Sequence, residues 1–222
     1  MFSAPQNRSA PPATRTRILW SLGALGLILL AFGLDNPVDA ALNMAGHPAW
    51  GHFVWWCSKI GEWWLIGLAG FLLAALLIWG RRLELARAIL FVTLASGLTG
   101  LAATVLRTLL GRTRPNNTAV PQGFYGIWHQ GHCILGRPEF SSFPSGHSAT
   151  VAGLAMAVWL LDRRVGALAW VYALVVMWSR IAQNAHHFSD VVAATVVGMV
   201  GAKLIYRWLP PLLTVWTERF RH

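Results

Sequence analysis

The sequence has few charged residues. Only 12% of its 222 residues are Asp, Glu, Lys or Arg and 55% are apolar, whereas roughly 25% of an ordinary soluble domain is charged. This balance excludes a typical soluble domain and predicts a membrane-embedded one, because long apolar runs fill most of the chain. We expect residues 18–222 to form that single domain, after a polar, Pro-rich and disordered cytoplasmic tail at residues 1–17.

Lysine and cysteine are also scarce. Arginine provides 16 of the 18 basic residues, and its planar guanidinium suits bidentate contacts with phosphate. The net charge of +10 does not indicate a nucleic-acid partner, because the basic residues lie at the ends of apolar runs and in one loop rather than in a stripe. Cys57 and Cys133 are too few for a disulfide scaffold and lack metal-ligand spacing. One bridge between them and two free thiols both remain open.

Six apolar runs predict an all-α, polytopic membrane protein with six transmembrane helices. The runs cover residues 18–34, 63–80, 88–106, 148–161, 165–183 and 190–209. Between the first two, residues 41–62 are rich in Trp and His and interrupted by Gly and Pro. This composition indicates a segment that lies at the membrane interface.

Arginine clusters predict the orientation. The connections after the second and fourth runs are basic, as are both chain ends, and six spans place all four on one side of the membrane. The positive-inside rule assigns that side to the cytoplasm. The clusters contain Arg8, Arg15 and Arg17; Arg81, Arg82 and Arg87; Arg163 and Arg164; and Arg207, Arg219 and Arg221. The connections 35–62 and 107–147 then lie outside.

Three polar clusters fall together at this predicted outer face. They are Arg107 with Arg114-Pro115, the segment Pro144-Ser145-Gly146-His147, and Ser179-Arg180 with His186 and Asp190. The orientation was assigned from arginines at the other side alone, so this convergence supports one site independently.

Phosphoryl transfer needs positive charge around three equatorial oxygens, and these clusters can supply it. Arg107, Arg114 and Arg180 are candidate guanidinium contacts for those oxygens. Ser145 and the amides near Gly146 begin a predicted helix, where free N–H groups and the helix dipole favour an anion.

Two histidines remain for nucleophilic and proton-transfer steps. His186 and Asp190 are four residues apart, so a carboxylate can hold one imidazole nitrogen as N–H and leave the other to attack phosphorus. His147 can serve as general acid to the leaving alkoxide and as base to the hydrolytic water. His129 and His132 match no pattern, and Arg112 and Arg137 are candidates for gathering an anionic headgroup.

These residues resemble the type 2 phosphatidic acid phosphatase family, whose signature is K-x6-RP, PSGH and SR-x5-H-x3-D. The second and third parts match at every stated position, and the first has Arg107 where the family usually has Lys. The register selects His186 and excludes His187. The resemblance implies a six-helix membrane fold, a phospho-histidine intermediate, and no metal or cofactor.

The sequence therefore predicts an enzyme of the bacterial inner membrane with a periplasmic site and cytoplasmic termini. Candidate substrates are phosphatidylglycerol phosphate, phosphatidic acid, undecaprenyl diphosphate and the phosphates of lipid A. A phosphotransferase using the same intermediate is an alternative. A transporter is another, although it would need ionisable residues in mid-span. The headgroup and the oligomeric state stay open.

Overall fold

Long helices lie at all six positions of the apolar runs. The structure is a computed structural model that describes residues 14–47 and 49–218. Its helices are α1 (Thr14–Gly33), α2 (Asp35–Leu42), α3 (Gly51–Lys59), α4 (Trp63–Trp79), α5 (Leu83–Leu110), α6 (Gly146–Leu161), α7 (Arg163–Ala182) and α8 (Phe188–Glu218). Between α5 and α6 lie the two-residue strands β1 (Trp128–His129) and β2 (His132–Cys133) and a 3-10 turn at Pro138–Phe140.

The expected tail is partly corrected. Residues 1–13 lie outside the described part of the chain, but residues 14–17 belong to α1 rather than to a disordered segment.

The all-α fold is confirmed, and the count of six spans stays a prediction. Within the described residues, α5, α7 and the part of α8 from Phe188 to Leu209 are long and apolar enough to cross a membrane. The bent pairs α1–α2 (64°) and α3–α4 (48°) raise this number to five if each pair is one broken span. Helix α6 has 16 residues, fewer than the ~20 that cross a bilayer.

Helix α6 lies in the middle of the bundle and contacts α5, α7 and α8. Small residues allow this close packing, as in other membrane helix pairs. A Cβ added to Gly198 of α8 would lie 2.6 Å from the Cβ of Ala152 and 2.8 Å from the carbonyl oxygen of Ala149. The packing brings the N-terminus of α6 to the centre of one end of the bundle.

The predicted interfacial segment forms α3 and the end of α2, which cover the end of α7. The amide of Met44 donates to Ala182 O (2.8 Å), and Gln183 Nε2 donates to Val54 O (3.0 Å). Cys57 is buried on α3 and Cys133 is exposed on β2. Both are free thiols, so of the two cysteine alternatives the structure has the unbridged one.

Candidate active site

The first arginine cluster is set by how α5 ends. Arg107 lies in its last turn, and Gly111 caps the helix in the left-handed conformation (φ 59°). A Cβ at Gly111 would lie 1.9 Å from Gly126 O, so only glycine permits this turn. The chain then returns past the helix end, and the amide of Arg114 donates to Glu139 O (3.0 Å).

The second cluster begins α6. Ser145 is the N-cap residue, and its side chain accepts from the Ser148 amide (3.4 Å). A Cβ at Gly146 would lie 3.2 Å from Arg107 Nη1. Glycine at this position therefore lets the Arg107 guanidinium approach the positive end of α6, where free amides and the helix dipole favour an anion.

The third cluster joins α7 to α8. Arg180 lies in the last turn of α7 and is 8% exposed. Its Nη1 donates to Ser58 Oγ of α3 and to Gln183 Oε1 (3.1 Å). The guanidinium is thus oriented by the interfacial segment as well as by its own helix.

The three guanidinium groups and the imidazole of His186 share one property. In the described part of the chain, Nε of Arg107, Arg114 and Arg180 and Nε2 of His186 are buried without a hydrogen-bond partner. Burial and the nearby charge of Arg107 also lower the pKa of Arg114. Buried donors and like charges are costly unless a ligand compensates them, so this arrangement favours an anion with several oxygens.

The protonation of His186 follows from its neighbours. The ring is 1% exposed, and Nδ1 lies 2.9 Å from Ser142 O. A carbonyl oxygen only accepts, so Nδ1 carries the hydrogen and Nε2 keeps a lone pair. Burial lowers the pKa of His186 to about 4, although Asp190 opposes that shift. The neutral ring is therefore the form present at pH 7.

Asp190 holds this ring less directly than the sequence predicts. Its Oδ2 lies 3.6 Å from His186 Nδ1, beyond hydrogen-bond length. The same oxygen accepts from Ser142 Oγ (2.5 Å) and from the His187 amide (2.8 Å). Asp190 thus holds Ser142 in place, and the carbonyl oxygen of Ser142 in turn orients the imidazole of His186. Sequence reasoning missed Ser142, because a backbone carbonyl leaves no residue-type signal.

His147 lies in the first turn of α6, directly after the cap. It is half-buried and close enough to His186 and to the three arginines to interact with their charges. Its ring lines a cavity together with Arg107 and Gly146. The structure therefore brings all eight predicted site residues to one end of the bundle, while their individual roles stay predictions.

The chain resembles a known protein family in sequence. The family model described as PAP2 superfamily matches residues 85–213. The chain belongs to the PAP2 superfamily. The matched region contains all three polar clusters.

Curated relatives of this PAP2 chain include phosphatases. It is 34% identical over 111 residues to the Lipid A 1-phosphatase of Rhizobium etli, covering 50% of this chain and 45% of the relative. It is 27% identical over 118 residues to the undecaprenyl-diphosphatase BcrC of Bacillus subtilis, covering 52% and 56%. The chain thus spans about half the length of these relatives.

Two solved structures share the fold. The crystal structure of Aquifex aeolicus LpxE is 18% identical with a TM-score of 0.55, covering 79% of this chain and 96% of that one. The first transmembrane PAP2 type phosphatidylglycerolphosphate phosphatase from Bacillus subtilis is 20% identical with a TM-score of 0.55, covering 84% and 94%.

Arg112 of this PAP2 chain does not gather a headgroup. It is 8% exposed, and its guanidinium contacts Asp190 Oδ1 (2.6 Å) and Asp35 Oδ2 (2.7 Å). The hypothesis of a headgroup contact is therefore wrong, because two buried carboxylates already occupy this cation. The sequence alone places Asp35 only as the first residue of the connection 35–62.

The other polar residues that the sequence indicates in the loop between α5 and α6 are His129, His132 and Arg137. Arg137 and His132 are exposed, and His129 packs on the ring of Tyr125 at a centroid distance of 4.4 Å. None of the contacts described for them involves a residue of the three clusters.

A cavity of about 530 Å³ extends from the site between α4, α5 and α6. Arg107 and His147 lie at one end of it, and its walls are mainly apolar, with Phe71 and Leu94 among them. Thr93, also in the wall, lies fourteen residues before Arg107 on α5, which corresponds to about 21 Å at ~1.5 Å per residue.

Proposed function

We propose that the chain is a membrane-embedded lipid phosphatase that acts through a phospho-histidine on His186. One observation carries the proposal: the imidazole of His186 has Nδ1 fixed as N–H by Ser142 O (2.9 Å), and its unpaired Nε2 is buried in a ring whose neighbours include the charges of Arg180 and Arg114. A neutral, desolvated and oriented nitrogen facing an anion site has the features of an activated nucleophile.

The reaction has two steps. In the first, the Nε2 lone pair of His186 forms a bond to phosphorus while the bond from phosphorus to the lipid oxygen breaks. Arg107, Arg114 and Arg180 stabilise the equatorial oxygens, and His147 gives a proton to the leaving alkoxide. Burial and the nearby arginine charges lower the pKa of His147 to about 2, so its ring takes up that proton only with the anionic phosphate bound, which offsets those charges. In the second, His147 takes a proton from water, the oxygen attacks phosphorus, and the N–P bond breaks to release phosphate and neutral His186.

The cavity supports a lipid as the substrate. Two of its lining residues, Thr93 and Arg107, lie about 21 Å apart along α5, which is more than one leaflet of a hydrocarbon core that is ~30 Å thick. A tail in the apolar cavity would place the phosphate next to Arg107 and His147, which lie at its end. Candidate headgroups remain phosphatidylglycerol phosphate, phosphatidic acid, undecaprenyl diphosphate and lipid A phosphate, at a site that faces the periplasm of a bacterial inner membrane.

Phosphate release from a panel of these four lipids tests the proposal. Purified protein in water labelled with ¹⁸O should release phosphate that carries one labelled oxygen, whereas a phosphotransferase would transfer unlabelled phosphate to an acceptor lipid. The His186→Ala variant is the control. If no lipid of the panel loses phosphate with the parent protein, the proposal is wrong.

The same assay tests metal independence. Three arginines and the N-terminus of α6 supply the positive charge that metals provide in other phosphoryl-transfer enzymes. We expect full activity in excess EDTA, and inhibition by orthovanadate, because five-coordinate vanadate on His186 resembles the transition state. A strict Mg²⁺ requirement would contradict this mechanism.

A further inference from the structure

The first turn of α8, which carries Asp190, is held by three carboxylates. The first amides of a helix have no partner within it, and carboxylates there also interact favourably with the helix dipole. Asp190 accepts from the His187 amide (2.8 Å), Asp39 from the Phe188 amide (2.9 Å) and Asp35 from the Ser189 amide (2.7 Å). Two of the three carboxylates belong to α2, where they lie one turn apart.

The Asp35 carboxylate continues into a buried ion pair. Its Oδ2 accepts from Arg112 Nη2 (2.7 Å) and Ser189 Oγ (2.7 Å), and Arg112 Nη1 donates to Asp190 Oδ1 (2.6 Å). The guanidinium also lies 4.8 Å from the centre of the Phe32 ring. Arg112 therefore joins α2 to the carboxylate that fixes Ser142.

The Asp39 carboxylate continues into a histidine. His187 Nδ1 lies 2.7 Å from Asp39 Oδ2, and Nε2 lies 3.2 Å from Gln122 Oε1. The amide orientation of Gln122 follows from its other contacts, because its Nε2 donates to two backbone carbonyls, those of Arg114 (3.1 Å) and Asn117 (3.0 Å). Both ring nitrogens thus face acceptors. Only the imidazolium form of His187 has a hydrogen on each.

We propose that Asp35 and Asp39 of α2 are positioning residues for His186. Asp35 acts through its contact with Arg112, and Asp39 acts through its contact with His187. The proposal rests on His186 being the nucleophile of the proposed function. The clamp is defined as Asp35, Asp39, Arg112, His187 and Asp190. Its Asp35–Arg112 arm is a buried ion pair, and its Asp39–His187 arm keeps both hydrogen bonds of the ring only when each ring nitrogen of His187 carries a hydrogen.

Within the described part of the chain, titratable groups from several elements contact or adjoin His187. The titratable groups placed against it are Asp39 of α2 on the ring, Asp190 of α8 on the amide, and the preceding His186 in the connection from α7. The loop after α5 contributes the neutral Gln122. Asp39→Asn therefore removes the carboxylate that contacts the ring.

Asp35→Asn and Asp39→Asn test the clamp, each in the purified full chain with phosphatidic acid and the other panel lipids in detergent micelles. We expect kcat to fall about 10- to 100-fold with little change in KM, because a displaced nucleophile slows chemistry more than it weakens phosphate binding. Asp162→Asn is the matched control. Asp162 is exposed and caps α7 at the opposite end of the bundle, and Asn caps a helix about as well.

A second measurement does not need turnover. Nitrogen NMR of histidine-labelled protein, with His187→Gln to assign the signals, should show both His187 nitrogens protonated at pH 7 in the parent and in Asp35→Asn. In Asp39→Asn, one of them should lose its hydrogen. Asp35→Glu, which keeps the charge but lengthens the side chain, replaces Asp35→Asn if the latter aggregates.

Two results would overturn the clamp. One is that kcat in Asp35→Asn and Asp39→Asn equals that of Asp162→Asn; the other is a neutral His187 in the parent. A parent that releases no phosphate from any lipid but shows a cationic His187 would instead refute the proposed function and leave the geometry of the clamp supported.

Discussion

The two sides of His186 differ in how their polar atoms are satisfied. On one side lies the arginine face, defined as Arg107, Arg114 and Arg180. Among the described residues, each of these has a buried Nε without a hydrogen-bond partner. On the other side lies the clamp, in which Asp190 alone takes bonds from Arg112, Ser142 and His187.

This difference distinguishes a surface that binds a ligand, the arginine face, from a network that holds residues in place, the clamp. A folded protein rarely leaves buried donors unpaired, so a group of them marks the place where a ligand supplies acceptors. A saturated network instead holds its members in one arrangement. The presence of a buried arginine does not make this distinction by itself, because Arg112 of the clamp is also buried and differs from the arginine face only in its partners.

The largest effect should come from the atom between the two sides. We expect His186→Ala to lower kcat on the order of 10⁴-fold or more, because the change removes the nitrogen that is proposed to attack phosphorus. Phosphate release from the preferred lipid of the panel measures it. The neighbouring His187→Gln should lose only about 10- to 100-fold, as expected for misplacement. Equal losses would mean that the register of the nucleophile is wrong.

Asp190→Asn should have the second largest effect. In a serine-protease triad the equivalent change costs about 10⁴-fold because the histidine adopts the wrong tautomer. Here Ser142 O holds Nδ1 as N–H at 2.9 Å without Asp190. We therefore expect a smaller loss in kcat, about 10²- to 10³-fold, from displacement of Ser142. A loss as large as that of His186→Ala would show that the charge of Asp190 acts on the ring itself.

The sequence predicts the arginine face better than the clamp, for a physical reason. Residues that bind a phosphate must be of particular types at helix ends, so Arg107, Arg114 and Arg180 are recognisable from type and spacing. Residues that pair within a hydrogen-bonded network such as the clamp need only be close together in the folded protein. Asp35 is 77 residues from Arg112 and 154 from Ser189, and no local pattern connects them.

One local signal for the clamp was nevertheless available. The chain has only eight acidic residues, and Asp35 and Asp39 are two of them, placed one helical turn apart. Two carboxylates on one face of a short helix in an apolar chain need partners, which predicts basic or amide donors nearby.

The pH dependence should report the buried ring. Because the pKa of His186 is lowered to about 4, about nine in ten rings are neutral at pH 5, against about one in thirty at the ordinary value of ~6.5. We expect kcat/KM to stay high down to about pH 5 and to fall through pH 4, as Nε2 becomes protonated. The lipid phosphate also ionises with pH, so its ionisation is measured by phosphorus NMR and the pH profile of kcat/KM is corrected for it. If kcat/KM instead falls as the pH drops through about 6.5, the nucleophile titrates like an imidazole in water and is not the buried ring.

Within the arginine face, the two ends should respond differently to lysine. Arg180 Nη1 is already bound to Ser58 and Gln183, and lysine cannot keep these contacts and reach the phosphate as well. We expect Arg180→Lys to raise KM and lower kcat by more than about tenfold, and Arg107→Lys to cost less than that. Steady-state kinetics of both variants decide the ranking. Equal losses would show that position 107 needs a guanidinium too.

An effect of about the size of that of Arg107→Lys should come from the apolar part of the cavity wall. Gly97 lines the cavity ten residues before Arg107 on α5, about 15 Å from it along the helix. A Cβ added at Gly97 meets no atom within 4 Å, so Gly97→Leu should fold normally and fill space that a lipid tail would use. Displacing two CH₂ groups at ~0.8 kcal/mol each corresponds to about a tenfold loss in kcat/KM.

This loss should depend on tail length. Kinetics with two lipids of the same headgroup decide it: the long-chain lipid should lose affinity in Gly97→Leu, while a short-chain analogue that ends above Gly97 should not. Gly23→Leu on α1 is the matched control, because its added Cβ also meets no atom within 4 Å and it does not line the cavity. Equal losses with both lipids would place the disturbance at the site itself, and no loss with either would place the tail elsewhere.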